Sequence, residues 1–181
     1  MIIGIRGKAG SGKTTASSHL VKQGWVKKAF AEKLKASCQL IFGLSHEQCY
    51  GALKEVVDPR WNRTPRDILQ RVGEALRVNI DEGVWVRPVL EESVLSGVNI
   101  VIEDARYENE IVAILEAGGV IIDLKRKGHL SDTEAGQHAS EVMVDLSQHK
   151  TRFPGRIHEI DNNNWSKDQL FEAVQTIVSD L

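Results

Sequence analysis

"GIRGKAGSGKTT", Gly4 to Thr15, carries four glycines, two lysines and three hydroxyl residues directly after the first apolar run of the chain. That mixture is poor for a helix or strand interior, where glycine costs conformational entropy. It suits a loop that comes very close to something negatively charged. Within it, Gly7-Lys8-Ala9-Gly10-Ser11-Gly12-Lys13-Thr14 fits G-x-x-x-x-G-K-[ST] at every position. Ile2 to Arg6 reads as a short buried strand, and Lys13 to Gln23 as a helix ended by Gly24. This is the strand–loop–helix context the motif requires. The glycines let successive N–H groups turn inward, and the amino end of the helix adds positive potential. Gly7, Ala9, Gly10, Ser11, Gly12, Lys13, Thr14 and Thr15 are therefore the candidate residues for a nucleoside triphosphate. Lys13 can reach the β- and γ-phosphates, and the Thr14 hydroxyl can ligate Mg²⁺.

The whole chain narrows the setting of this loop. Its 181 residues favour one domain with a substantial core. Hydrophobic residues make up 41% and charged residues 27%, and the net charge is -2, so no global basic field exists for polymeric nucleic acid or an anionic membrane. Attraction to phosphate must come from a local cluster. Cys38 and Cys49 are the only cysteines and form no C-x-x-C, which points to reduced thiols and a cytoplasmic setting. The chain opens on Met1 and an immediate strand, so no targeting segment is expected, and no apolar run approaches spanning length.

Outward from the glycine loop, strands alternate with helices. Trp25 to Phe30 reads as a second strand, and "NIVIED" from Asn99, "VIIDLKR" and "RIHEID" as three more. "EKLKASCQLIF" places Leu34, Cys38 and Ile41 on one helical face, and His46 to Leu53 forms a short helix. Thr64-Pro65 starts a helix running to Asn79, with Thr as N-cap and Pro at the first helical position. Further helices are expected over Val84–Leu95, Asn109–Ala117 and, from a Ser166/Gln169 capping box, the C-terminal segment. The last carries a stripe of Leu170, Phe171, Val174, Ile177, Val178 and Leu181 suited to packing on a sheet. The fold class is α/β, a parallel five-stranded sheet flanked by helices. Residues 31–97 form a long helical insertion, a natural place for substrate binding.

Two further constellations carry chemistry. On the helix of "TPRDILQRVGEALR", Arg66, Gln70, Gly73 and Arg77 share one face, while Leu69, Val72 and Leu76 pack on another. Guanidinium forks suit a phosphate monoester and an amide suits a base edge; the same arginines could equally be solvated. In "VIEDARYENE", Asp104 lies at the carboxyl end of a buried strand, where open α/β sheets bind ligands. An acid there can orient water on Mg²⁺, and Arg106 can clamp a transferring phosphoryl group. The competing reading is a helix-capping aspartate with a surface arginine.

The glycine loop, "FAEKLK" (Phe30 to Lys35), "TPRDILQRVGEALR", "WV" (Trp85-Val86), "EDARYENE" and "HASE" (His138 to Glu141) occur in that order. Together they resemble the phage-type deoxynucleoside monophosphate kinases, a branch of the P-loop nucleotide kinases, over about residues 1–165. Tyr107 and Glu108 stand where the pattern D-x-R-F-P-N-E would have Phe and Pro. The resemblance implies one P-loop kinase domain over 1–181, with the acceptor-binding insertion at 31–97 and a lid at 126–141. It implies ATP-dependent phosphorylation of a deoxynucleoside 5′-monophosphate, with Mg²⁺, in the host cytoplasm if the protein is phage-encoded, and a homodimer as one allowed state. By position it assigns Lys13 and Thr14 to ATP and metal, and Asp104 to the metal. Arg66, Gln70, Trp85 and Arg106 go to the acceptor, and Phe30 and Lys33 to its pocket walls. Trp85 could equally be core. Arg126 is the preferred cation of the lid, which would exclude water from ATP.

Two rivals remain at this level. A small-molecule kinase of the dephospho-coenzyme A type would share loop and fold. A nucleotide-dependent switch or motor would want N-K-x-D or an LSGGQ-like signature, and neither is present.

Overall fold

The structure, a computed structural model, describes residues 1–126 and 144–181. The expected lid therefore lies outside the described residues except for Arg126, and so do His138 and Glu141. Five parallel strands form the sheet: β1 (Ile2–Arg6), β2 (Val26–Lys28), β3 (Ile100–Ile102), β4 (Val120–Lys125) and β5 (Ile157–Asp161), in the order β2-β3-β1-β4-β5. Ile3 pairs in register with Val101 on one side and Val120 on the other, so β1 is the central strand. The helices are α1 (Lys13–Lys22), α2 (Ala31–Phe42), α3 (His46–Tyr50), α4 (Pro65–Asn79), α5 (Arg87–Ser96), α6 (Glu108–Glu116), α7 (Ser147–Arg152) and α8 (Lys167–Ser179), with a 3₁₀ turn at Ala52–Glu55. No described helix is long and apolar enough to cross a membrane.

The chain gathers into two compact units, Met1–Ala29 with Val89–Leu181, and Phe30–Pro88. The first holds the sheet. Its strands β1 and β3 are buried at every residue, as expected of a sheet covered on both faces. Ile3, Ile5, Leu20, Val101, Ile122, Leu124, Leu170 and Val174 form one core between the sheet, α1 and α8. Fully burying each such Leu or Ile side chain contributes about 1.5–3 kcal/mol. On Gly4, an added Cβ would lie 2.7 Å from Ile114 and 2.8 Å from Ile121, so α6 lies hard against β1 there. The stripe on α8 is buried at Leu170 and Val174 and partly so at Ile177 and Val178. Phe171 instead stacks on His19 at 4.2 Å, and Leu181 is exposed.

The second unit is helical, with a core of Cys38, Leu44, Cys49, Ile68 and Leu69 bordered by Leu34, Phe42 and Val72. Ile41, expected inward, is exposed. The inward face of α2 is centred on 34, 38 and 42 rather than 34, 38 and 41, because Phe42 turns in to meet Trp61 edge-on at 5.2 Å. Both cysteines are free and fully buried; burial pushes the Cys38 thiol up to about 11 and raises that of Cys49.

Three boundaries differ from expectation. The second strand is three residues long, because Trp25 turns into the core and Phe30 already caps α2. The expected helix at Val84 begins at Arg87, since Asp81–Val86 is taken up by turns: Asp81 Oδ1 accepts from the Gly83 amide at 2.7 Å. Helix α7, polar throughout, was not foreseen; the Asp145 carboxylate accepts the Ser147 amide and hydroxyl at its start.

Candidate functional site

All five strands of a parallel sheet end on one side, and the sheet order changes direction around β1, the usual place for a ligand in this architecture. The glycine loop leaves β1 at that point. Gly7 has φ +146° and Gly12 φ +104°, conformations that side chains rarely adopt. There is no room for one either: a Cβ on Gly7 would stand 2.4 Å from the Leu124 carbonyl oxygen, and one on Gly12 2.7 Å from Asn162 Nδ2. Gly12 caps α1 without a side-chain hydrogen bond, and no acidic residue sits in the first turn. The first backbone N–H groups of α1 thus keep the positive end of the helix for an anion.

Two cations lie over this loop. Lys13 Nζ donates to the carbonyl oxygens of Gly7 at 2.5 Å and Lys8 at 2.8 Å. Arg126, just past β4, donates from Nη1 to the Gly10 carbonyl at 3.4 Å. Thr14 and Ala9 are exposed, Thr15 is half-buried and Ser11 is buried. The buried Asn162, one residue past β5, donates from Nδ2 to the Ser11 carbonyl at 2.8 Å and fixes the loop from behind. The sequence showed an asparagine run there; its contact with the loop required knowing that β5 and β1 end together.

The end of β3 supplies the acids. Asp104 is half-buried two residues beyond the strand. Glu103 accepts the Ser17 hydroxyl at 2.5 Å and pairs with Lys27. Arg106 is exposed, and its backbone is held firmly: the buried Glu110 carboxylate accepts the amides of Arg106 at 2.7 Å and Tyr107 at 3.0 Å. The last Glu of "DARYENE" is thus a helix-capping side chain that places the arginine. Glu108, standing in the Pro position of the family pattern, lies 3.1 Å from His149 Nε2 on α7.

One buried pair was not anticipated. Arg6 and Asp123, register partners on β1 and β4, are 3% and 4% exposed, with Arg6 Nε 3.3 Å from Asp123 Oδ1. Arg6 Nη2 donates to the Val144 carbonyl at 2.9 Å. Burial lowers the arginine's pKa and raises that of the aspartate, each against the pull of its partner.

The candidates in the helical unit are built differently. Thr64 Oγ1 accepts the Asp67 amide at 3.1 Å and Pro65 opens α4, as read from sequence. Arg66 is exposed and ion-paired with Glu55 of the 3₁₀ turn, Gln70 is exposed, and Lys33 is exposed on the first turn of α2. Phe30 and Trp85 are buried, at 2% and 5% exposure, and Trp85 Nε1 donates to the Gly73 carbonyl at 3.2 Å. Gly73, which the sequence suggested would leave room for a ligand, faces Leu34 of α2: an added Cβ would lie 3.1 Å from it.

No family model matches this chain. A solved structure, TT1252 from Thermus thermophilus, shares the fold at a TM-score of 0.56 with 19% identity, covering 100% of this chain and 97% of that one. Dephospho-CoA kinase from Campylobacter jejuni superposes at a TM-score of 0.47 with 16% identity, over 99% and 96% of the two chains. In sequence, a protein of Acanthamoeba polyphaga mimivirus named "Putative deoxynucleotide monophosphate kinase" is 39% identical, covering 78% of this chain and 81% of that one. With a complete phosphate loop on a parallel five-stranded sheet and this degree of identity, the chain belongs to the deoxynucleotide monophosphate kinase family.

Proposed function

We propose that the protein transfers the γ-phosphoryl group of ATP to a deoxynucleoside 5′-monophosphate, giving the diphosphate and ADP. The observation that carries this reading is the built phosphate cradle: left-handed glycines with no space for a side chain, an uncapped α1 amino end, and Lys13 and Arg126 lying over the loop. Phosphoryl transfer asks mainly for positioning and charge neutralisation. Two unit charges about 4 Å apart repel by ~4 kcal/mol even at an effective dielectric of 20. Lys13 and Arg126 on the donor side, with Arg106 and Arg66 for the acceptor, offset that repulsion. The attacking phosphate oxygen is already anionic, so no general base is required.

The donor atoms near the loop fit Mg²⁺. The Thr14 hydroxyl and the Asp104 carboxylate are hard oxygen ligands, and no group of three or more His, Cys, Asp or Glu side chains gathers for a metal among the described residues. Mg²⁺ in such sites takes one or two protein oxygens and completes its shell with phosphates and water. When bound, the ion supplies neutralisation of the phosphate oxygens. Thr14 and Asp104 would hold it, Lys13 orients the phosphate tail, and the Asn162 bond keeps the Ser11 peptide in place.

The test is ADP release with ATP and Mg²⁺ over a panel of common nucleoside monophosphates in both sugar forms, dephospho-coenzyme A, and no acceptor. Release that depends on a deoxynucleoside monophosphate is expected. Equal release without an acceptor, or with dephospho-coenzyme A alone, would overturn the assignment.

A further inference from the structure

The proposed reaction uses Asp104 but leaves its neighbour Glu103 without a part, although Glu103 is firmly held. Both carboxylate oxygens are committed. Oε2 accepts the Ser17 hydroxyl at 2.5 Å, and Oε1 pairs with Lys27 of β2. Ser17 is fully buried on α1, one turn beyond Thr14, and its Oγ also stands 3.2 Å from the Thr14 carbonyl oxygen. A carboxylate this close to a phosphate loop would repel a triphosphate if it were free to turn toward it. Here a lysine on one oxygen and a hydroxyl on the other hold it against the flank of α1.

We propose that Ser17, Glu103 and Lys27 form a positioning brace, tying β2 and the end of β3 to α1 one turn beyond Thr14 and thereby setting the Thr14 hydroxyl for the metal-bound triphosphate. The proposal rests on the reading of Thr14 as a ligand of a nucleotide-bound Mg²⁺. Ser17 and Glu103 need not touch nucleotide or metal. They act through Thr14, as outer groups orient the ligands of metal sites generally. The brace joins residues 86 positions apart, so it forms only when β3 lies beside β1. Its direct consequence is a division of labour between adjacent acids: Glu103 is turned to the helix and leaves Asp104 as the acid for the ion.

The experiment is calorimetric titration of ADP into the full-length protein, with and without Mg²⁺ and with no acceptor present, alongside circular dichroism and thermal melts. Ser17→Ala and Glu103→Ala are expected to lose about tenfold or more of the Mg²⁺-dependent gain in affinity, while metal-free ADP binding changes by less than about twofold. Glu103→Gln keeps an acceptor for the Ser17 hydroxyl and should retain most of the gain; it also serves as the reporter if the alanine variants fail to fold. Loss of metal-free and metal-bound affinity in equal proportion would mean a merely structural role and overturn the proposal, as would an undiminished Mg²⁺ effect in Ser17→Ala. A wild-type protein that binds no ADP under either condition would instead remove the nucleotide reading on which the brace depends.

Discussion

The phosphate loop and helix α4 hold their candidate charged groups in different ways. Around the loop, two fixing contacts are buried and join segments far apart in the chain, Asn162 to the Ser11 carbonyl and Arg6 beside Asp123, and a third is local, Glu110 to the Arg106 amide. In the helical unit, three arginines are held in exposed ion pairs, Arg66 with Glu55 and Arg63 and Arg71 both with Asp67, while Arg60 pairs with the buried Asp58. Exposed pairs contribute only about 0–1 kcal/mol, so another anion can replace the carboxylate at little cost. A buried group stripped of its partner costs several times more. Under the proposed function, the donor loop is held by enclosed contacts, while Arg66 rests in an exposed pair that an acceptor phosphate can displace.

The largest effect expected is on the buried side. Arg6→Met leaves the buried Asp123 carboxyl without its register partner and should cost about 3–5 kcal/mol of stability, whereas Arg6→Met with Asp123→Leu should recover most of it. Urea denaturation of both variants checks this, and a double variant as unstable as the single one would break the contrast. Next, Lys13→Ala should lower kcat by roughly 10²–10³, the scale of losing one charge-stabilising donor, with an unchanged circular dichroism spectrum. Turnover at the wild-type rate would remove the loop from the reaction. A smaller effect is expected for Arg66→Ala: about a tenfold rise in the acceptor KM and less than a twofold change in the ATP KM. If both constants rise together, Arg66 is not an acceptor residue.

The smallest effect is a pH dependence that differs in sign between the units. Hydrogen bonds from Arg60 and Gln48 hold Asp58 well below the usual carboxylate range. Its contribution is therefore present above about pH 4 and is lost as the pH falls toward the folded value. Asp123 is raised by burial, so its own titration favours folding at low pH and the benefit fades as the pH climbs through its folded value. Thermal melts of Asp58→Asn should show a shallower fall in stability below about pH 4 than wild type. Identical acid limbs in the two proteins would show that Asp58 does not stabilise the fold.

Local chemistry made much of this legible in the sequence. The strand–glycine–helix order located the cradle, Thr64-Pro65 fixed the start of α4, and the Ser166/Gln169 capping box fixed that of α8. Contacts of long sequence separation were not legible. Nothing in the local sequence links Ser17 to Glu103, 86 residues on; the contact exists because β3 lies beside β1. Asn162 looked like part of a polar run until β5 brought it under a loop 151 residues away. Ile41 failed for a related reason: helical periodicity finds a face, but the aromatic contact of Phe42 decides how far that face is turned.

Cys38 and Cys49 sit fully buried in the core of the helical unit, with thiol pKa values raised by that burial. Alkylating reagents attack thiolates that they can reach. In the native molecule both sulfurs are shielded, so their modification reports only those moments when the helical unit comes apart. The chain carries its own stopwatch for that event, read by mass spectrometry without any added label site.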